Sequence, residues 1–215
     1  MAEGAVQFAH HRFKDWDGDH DVGIARLAIV SPLRTSSGGV PGQASRSCFL
    51  TSTTIPHVTR EAAFQDYYPE HLAHCYGCGR LNAQGYRLET RWDGEESVTY
   101  FTPAPFHTAV PGVVYGGLLA SIVDCHSTGS AAAALYRAEG RSMDSEPAHR
   151  CVTGRLSVRY LHPTPLGPTV EVRGRVTAID ARKVTVVSRV LVGDVVTIEA
   201  EVVAIEMPDG FGTPV

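Results

Sequence analysis

Asp124 is the residue whose side chain has the clearest capacity for chemistry in this sequence. It falls within residues 116 to about 137, where an Ala- and Leu-rich composition predicts one long helix. An unpaired carboxylate on a face fit for burial is costly, and burial raises its pKa. Because proteins keep such groups mostly at functional sites, Asp124 is a candidate functional residue, and a solvent-facing or arginine-paired Asp124 is the alternative. The residues that share its helix face are small, which predicts close packing against a sheet: Gly117, Ala120, Ser121, Thr128 and Ala131.

The start of the same helix offers a second chemical group. Tyr115-Gly116-Gly117 places two glycines where backbone N–H groups have no partner within the helix. Glycine lets a ligand approach those groups closely, and the helix dipole favours negative charge there. This segment is therefore a candidate oxyanion site, with a simple tight turn into the helix as the alternative.

Six strands are predicted around this helix, in the order β-β-α-β-β-β-β. Asp93-Gly94 and Gly193-Asp194 each mark a tight turn between neighbouring strands. Strands joined in this way form an antiparallel sheet, and one long helix across it gives an α+β fold. The predicted strands cover residues 86–92, 97–102, 151–161, 169–179, 183–192 and 195–205.

Composition excludes several classes of protein. The chain has 215 residues, 43% hydrophobic residues and a net charge of −4, so no general nucleic-acid binding is expected. Its five cysteines are an odd number in a chain that is not small, which argues against a disulfide scaffold. The sequence predicts no membrane span and no signal peptide, and we expect a cytoplasmic protein. Residues 1–57 are predicted to be a flexible N-terminal extension, and residues 58–215 the folded domain.

Other motifs are weaker. Cys75 and Cys78 form a C-x-x-C pair, but a closed zinc site needs four ligands and no second pair exists. We therefore predict a buried structural pair near the site entrance and no metal site here. Cys125 follows Asp124 but projects to another helix face and lacks a clear base partner, which disfavours a cysteine nucleophile. The histidines that could act as supporting donors, or be ordinary loop or surface histidines, are His107, His126 and His162.

Three blocks in order resemble a known family. The segment GVVYGGLLASIVDCHSTG resembles the G-x-V-H-G-G-x-x-A-x-x-x-D motif of the PaaI-like acyl-CoA thioesterases, which have the hotdog fold. Upstream, CYGCGRLNAQGYRLE resembles the C-x-x-C-G-x-x-N-x-x-G entry of a subgroup that includes the THEM4-like thioesterases. Downstream, VTGRLSVRYLHPTPLG resembles the strand that follows the helix. The resemblance covers about residues 70–207 and implies a hotdog sheet wrapped around one central helix.

The resemblance implies roles for individual residues. Asp124 matches the acidic residue that acts as general base or nucleophile, and Gly116 the glycine whose N–H polarises the thioester carbonyl. Thr153 matches a Ser or Thr that helps to hold the carboxylate or water. Tyr115 departs from the family's usual histidine, which puts substrate tuning and catalysis in question. The residues expected to contact substrate, including the coenzyme A phosphates, are Tyr115, Gly117, His107, Tyr160, Arg182 and Lys183.

Helix geometry constrains how such a site is assembled. Gly116 and Asp124 are eight residues apart, or ~12 Å along a helix axis, whereas a reacting carbonyl needs both within about 3–3.5 Å. We therefore expect a site shared between subunits of a homodimer or a dimer of dimers. The expected function is hydrolysis of acyl-CoA or acyl-carrier-protein thioesters, with no cofactor beyond the coenzyme A of the substrate. The alternative is a non-catalytic hotdog module that binds acyl-thioesters; a dehydratase is disfavoured because its signature is not evident.

Overall fold

The computed structural model describes residues 61–208, to which the following account is confined. The predicted N-terminal extension, residues 1–57, lies outside the described residues, so that domain boundary stays a prediction. Two short 3-10 turns, Phe64–Tyr67 and Glu70–Leu72, precede the sheet. The remaining elements are β1 (Thr90–Asp93), β2 (Glu96–Phe101), β3 (Thr108–Val110), β4 (Val113–Val114), α1 (Gly116–Ala138), β5 (Cys151–Tyr160), β6 (Val170–Asp180), β7 (Lys183–Val192) and β8 (Val195–Glu206).

The main sheet is antiparallel, with six strands in the order β1-β2-β6-β7-β8-β5. Helix α1 contacts all six strands and is the one long helix of the described chain, which confirms the predicted α+β fold. No helix among the described residues has the length and hydropathy needed to span a membrane.

Two local predictions were wrong. Between the second predicted strand and α1, where no strand was predicted, the chain contains a small hairpin in which β3 and β4 pair with each other. The first strand begins at Thr90, because the backbone before it pairs with another loop: Tyr86 N donates to Tyr76 O at 2.9 Å, and Leu88 N to Gly77 O at 3.0 Å. These two N–H groups therefore bond to the C-x-x-C loop and do not pair with a strand of the sheet.

The core lies between the central strands and the helix. Alternating residues of β6, β7 and β8 point to α1, where the helix presents its large apolar side chains. Each fully buried aliphatic side chain of this kind stabilises the fold by about 1.5–3 kcal/mol relative to exposure. The core side chains with little or no exposure include Leu118, Leu119, Ile122, Val123, Val172, Val190, Ile198 and Val202.

The small-residue face of α1 differs from its prediction over the first half of the helix. Gly117 is exposed there, and Ala120 and Ser121 are half-buried, so this part of the face does not pack on the sheet. Thr128 and Ala131, further along, are buried as predicted. The large apolar residues on the opposite side of the helix occupy the core instead, because their burial removes more apolar area from water.

A buried polar network fixes the rotation of α1 against β2. His126 has no exposed surface; its Nδ1 lies 2.9 Å from Thr99 Oγ1 and its Nε2 3.1 Å from Ser97 Oγ. Ser130 Oγ donates to Ser97 Oγ at 2.6 Å, and Thr90 Oγ1 lies 2.8 Å from Thr99 Oγ1. Burial lowers the pKa of His126 to about 3, so the imidazole is neutral at neutral pH. Since unsatisfied buried polar groups are costly, this pairing holds the helix in one orientation.

Candidate active site

Asp124 lies in the third turn of α1, opposite the beginning of β5. Thr153 Oγ1 donates a short hydrogen bond to Asp124 Oδ1. The β5–β8 register shifts between Thr153 and Arg155, and Gly154 fits this bulge because a Cβ there would lie 2.7 Å from Ile205 Cγ1. The strand irregularity thus positions the threonine hydroxyl on the carboxylate.

The electrostatic surroundings of Asp124 suit a base. Burial raises the pKa of the half-buried carboxyl, and the hydrogen bond from Thr153 opposes part of that rise. Nearby Cys75 raises the pKa further, while Arg150 lowers it. The net direction is upward, which makes the ionised carboxylate a stronger proton acceptor than an ordinary surface aspartate.

The helix start forms a second cluster. Tyr160, at the end of β5, donates its hydroxyl to Gly116 O at 2.7 Å, and its ring would lie 3.3 Å from a Cβ placed on Gly116. A Cβ on Gly117 would lie 2.5 Å from the ring of Tyr115, which caps the helix with its backbone only. Both glycines therefore sit directly beneath aromatic rings. The N–H groups of Leu118 and Leu119 donate to Tyr115 O, whereas those of the two glycines have no partner within the helix.

His107 braces this second cluster through its backbone. Its carbonyl accepts from Tyr115 N at 2.9 Å, while its Nδ1 accepts from Ala104 N at 3.0 Å. The ring also packs against Tyr86 and Phe101, with centroids 5.7 Å apart in each case. Within the described contacts, His107 therefore orders the loop that carries Tyr115, and its predicted contact with substrate stays a prediction.

The basic pair Arg182 and Lys183 lies where β6 turns into β7, with Arg182 in the turn and Lys183 as the first residue of β7. Arg182 and Glu206 are held together by the bond from Glu206 N to Arg182 O, 2.8 Å long, and by a bond from the guanidinium to Glu206 O. Lys183 pairs with Ile205, which in turn pairs with Val152 of β5. The turn thus lies at the end of the sheet where β5 begins, and no contact among the described residues links it to Asp124 or Gly116.

The predicted residues consequently fall into two half-sites. The base half-site consists of Asp124 and Thr153, and the glycine half-site of Tyr115, Gly116, Gly117 and Tyr160. Gly116 and Asp124 are separated by ~12 Å of helix, and Thr153 and Tyr160 by about 23 Å of strand. One chain does not bring the two half-sites together.

Two neighbours of Asp124 were not predicted from the sequence to belong to its site. Arg150 and Cys75 both influence its pKa, although they lie 26 positions after it and 49 positions before it in the chain. The C-x-x-C motif predicted a buried cysteine pair near the site entrance, but it did not identify Cys75 as a neighbour of Asp124, and no local pattern indicated Arg150.

Comparison with known proteins gives consistent matches. Residues 111–191 match the model of the thioesterase superfamily. The chain is 34% identical over 87 residues to acyl-coenzyme A thioesterase THEM4 from Xenopus laevis, a match that covers 40% of this chain and 33% of that protein. The chain thus spans about a third of the length of this curated relative. A crystal structure of a thioesterase superfamily protein from Shewanella loihica shares 40% identity with a TM-score of 0.51, and the match covers 67% of this chain and 99% of that one. The chain belongs to the thioesterase superfamily, and its antiparallel sheet with a single long helix is the hotdog fold of that family.

Proposed function

We propose that this protein hydrolyses acyl-CoA thioesters to a free carboxylic acid and coenzyme A. The observation that carries the proposal is the Asp124 carboxylate, whose pKa is raised by burial and which Thr153 holds in place. The THEM4 relative, by its name an acyl-coenzyme A thioesterase, supports the same substrate class.

The proposed reaction follows from the two half-sites. Asp124 accepts a proton from a water molecule, and the resulting hydroxide attacks the thioester carbonyl carbon. The N–H of Gly116 stabilises the oxyanion of the tetrahedral intermediate. When the C–S bond breaks, the proton on Asp124 passes to the departing thiolate, so the products are the acid and the thiol. Direct attack by the Asp124 carboxylate, followed by hydrolysis of the anhydride, gives the same products.

The shared site requires two copies of the chain, and β5 offers the surface. Among the described residues this ten-residue strand pairs with β8 on one edge only. Its open edge carries Val152, Leu156 and Tyr160, which are 36–39% exposed although apolar. A long unpaired strand with exposed apolar side chains is a template for pairing with another chain.

The positions of the half-sites along β5 fit a symmetric pair. Antiparallel pairing of two β5 strands about a two-fold axis between Leu156 and Ser157 would set Thr153 of one copy opposite Tyr160 of the other. The base half-site of one copy would then face the glycine half-site of its mate, at both ends of the interface. This arrangement meets the distance requirement that one chain cannot meet, and a dimer of such dimers would preserve it.

The finer substrate assignments belong to the same proposal. We assign Arg182 and Lys183, the exposed basic turn, to the phosphates of coenzyme A or of a carrier-protein prosthetic group. Tyr115, 58% exposed above Gly117, would contact the acyl thioester near the reacting carbon.

A panel of acyl-CoA substrates, followed by release of free thiol, tests the proposal. Because the general base contributes about 10²–10⁴-fold to such reactions, we expect Asp124→Asn to lower kcat by that factor. Asp194→Asn, in the exposed β7–β8 turn, removes a carboxylate of the same kind elsewhere and should retain wild-type turnover. Undiminished activity of Asp124→Asn would refute the assigned role.

The second candidate function is a non-catalytic module that binds acyl-thioesters. Tyr115 favours it, because the family usually has histidine at this position. Calorimetric binding of an acyl-CoA by the wild-type chain, with no thiol release over the whole panel, would support this second function and overturn the first.

A further inference from the structure

Three cysteine thiols that are distant in sequence converge beside the catalytic helix. Cys75 Sγ lies 3.7 Å from Cys125 Sγ, and these two atoms and Cys78 Sγ all lie within 4.8 Å of one another. Cys78 and Cys125 are buried and Cys75 is half-buried. The C-x-x-C pair alone offers two donors; the fold supplies the third from the residue next to Asp124.

The backbone around these thiols is folded closely over them. A Cβ on Gly77 would lie 2.2 Å from Cys125 Sγ, so a glycine is needed where the loop crosses the helix thiol. Gly79 N donates to Cys75 O at 2.8 Å and closes the C-x-x-C turn. The bonds of Tyr86 and Leu88 to the same loop hold it from the other side. The cluster is therefore a rigid, built feature of the domain.

A cation, Arg150, lies against the cluster without a direct ion pair to a carboxylate of the described residues, although it also lowers the pKa of Asp124 through space. Arg150 Nη2 is 3.7 Å from Cys78 Sγ, and the guanidinium stacks on Tyr68, with 4.2 Å from Cζ to the ring centroid. Its remaining hydrogen bonds go to Tyr68 Oη and Cys151 O. In the part of the chain that the structure describes, no ion pair is formed by Arg150. Burial of a cation is costly in free energy, and a neighbouring negative charge lowers that cost.

We propose that Cys75, Cys78 and Cys125 bind a zinc ion as three thiolates. Zinc–sulfur bonds of about 2.3 Å in a tetrahedron set the sulfur atoms about 3.8 Å apart, close to the 3.7 Å between Cys75 and Cys125. A disulfide would need the same atoms to approach to about 2.0 Å and would leave the third thiol unused. Zinc and three thiolates together carry one negative charge, which the guanidinium of Arg150 neutralises.

The binding releases three thiol protons and leaves one coordination position for water or an added donor, because no fourth donor atom among the described residues joins the cluster. The ion would join the segment before β1 to α1 at the residue after Asp124. This inference stands apart from the proposed hydrolysis and does not depend on it. Its test therefore uses metal content and spectra rather than turnover.

The experiment uses the full chain, purified without an affinity tag or chelator, and measures metals by inductively coupled plasma mass spectrometry. We expect about one zinc per chain in the wild type and a loss of most of it in Cys75→Ser and Cys125→Ser. Cys151→Ser is the matched control, because Cys151 is buried like Cys125 but lies outside the cluster. It should keep its zinc.

A second measurement covers the case in which the cysteine variants do not fold. The wild-type chain is stripped of metal and titrated with Co²⁺, whose thiolate charge-transfer and tetrahedral ligand-field bands report sulfur ligation directly. Arg150→Gln should weaken zinc binding about 10–100-fold, as loss of a supporting contact around a metal site does. Competition with a chromogenic chelator measures this change.

Three results would overturn the proposal. The first is a folded wild-type chain that holds no zinc and gives no thiolate–cobalt bands. The second is full zinc content in both cluster variants. The third is a disulfide between two of these cysteines in peptide maps of the native protein.

Discussion

Adding one methyl group at Gly174 tests how the fold holds helix α1 in place. Gly174 lies on β6 opposite Ser97, and a Cβ there would lie 2.5 Å from His126 Nε2 and 2.9 Å from Ser97 Oγ. Neither neighbour is free to move, because His126 is fully buried and bonded to both Ser97 and Thr99. Overpacking of this kind costs about 1–3 kcal/mol, and loss of one or two hydrogen bonds adds about 1 kcal/mol each. We therefore expect Gly174→Ala to lower the free energy of unfolding by about 2–5 kcal/mol.

The direction of the change in unfolding free energy distinguishes a steric clash at Gly174 from an ordinary strand glycine. In a strand without the clash, replacing glycine by alanine would raise stability by about 0.5–1 kcal/mol. Urea unfolding followed by far-ultraviolet circular dichroism, at one fixed protein concentration, gives the difference. The same substitution in a His126→Ala background is the control, where the ring is absent and the cost should fall by more than half. Equal or higher stability of Gly174→Ala, or an equal loss in both backgrounds, would refute the reasoning.

Three further predictions concern the site. Thr153→Ala should lower kcat/KM by about 10–100-fold, because a hydrogen bond to a charged group contributes roughly 1.5–3 kcal/mol, while Thr153→Ser keeps the hydroxyl and most of the activity in the thiol-release assay. Leu156→Lys should dissociate the proposed β5-paired dimer in sedimentation velocity and abolish turnover. Val195→Lys, an equally non-conservative change at the exposed start of β8, should do neither, and an active Leu156→Lys monomer would contradict the proposed shared site. Tyr160→Phe removes the 2.7 Å bond to Gly116 O and should lower kcat by about 2–10-fold with the dimer intact; an unchanged kcat would exclude Tyr160 as a positioning residue.

The two half-sites also explain why residues 29 and 44 positions apart along the chain belong together. Gly116 and Tyr160 are in contact, as are Asp124 and Thr153, because α1 and β5 lie side by side in the same domain. Each contact pairs one helix residue with one strand residue. The helix and the edge strand therefore act as one unit, and any substitution that shifts either should affect both half-sites.

The strand and helix pattern was predictable from the residues alone. Alternating apolar and polar residues predicted β6, β7 and β8 closely, and the Asp93-Gly94 turn predicted the first hairpin, with a glycine φ of 62°. The carboxylate of Asp124 on a helix face of otherwise small residues could also be recognised from the local sequence. These features are set by neighbours in sequence, so the sequence determines them without reference to the rest of the fold.

The tertiary structure decided what those elements bring together. It set the bulge at Gly154 that places Thr153 on Asp124, and it left the face around Ala120 half-buried because larger apolar residues occupy the core. It also joined Cys125 to a C-x-x-C loop about 50 residues earlier, with Arg150 beside it. Such contacts depend on packing between distant segments, where burial and steric fit outweigh any local pattern. The sequence thus determined which residues could do chemistry, and only packing determined which of them meet.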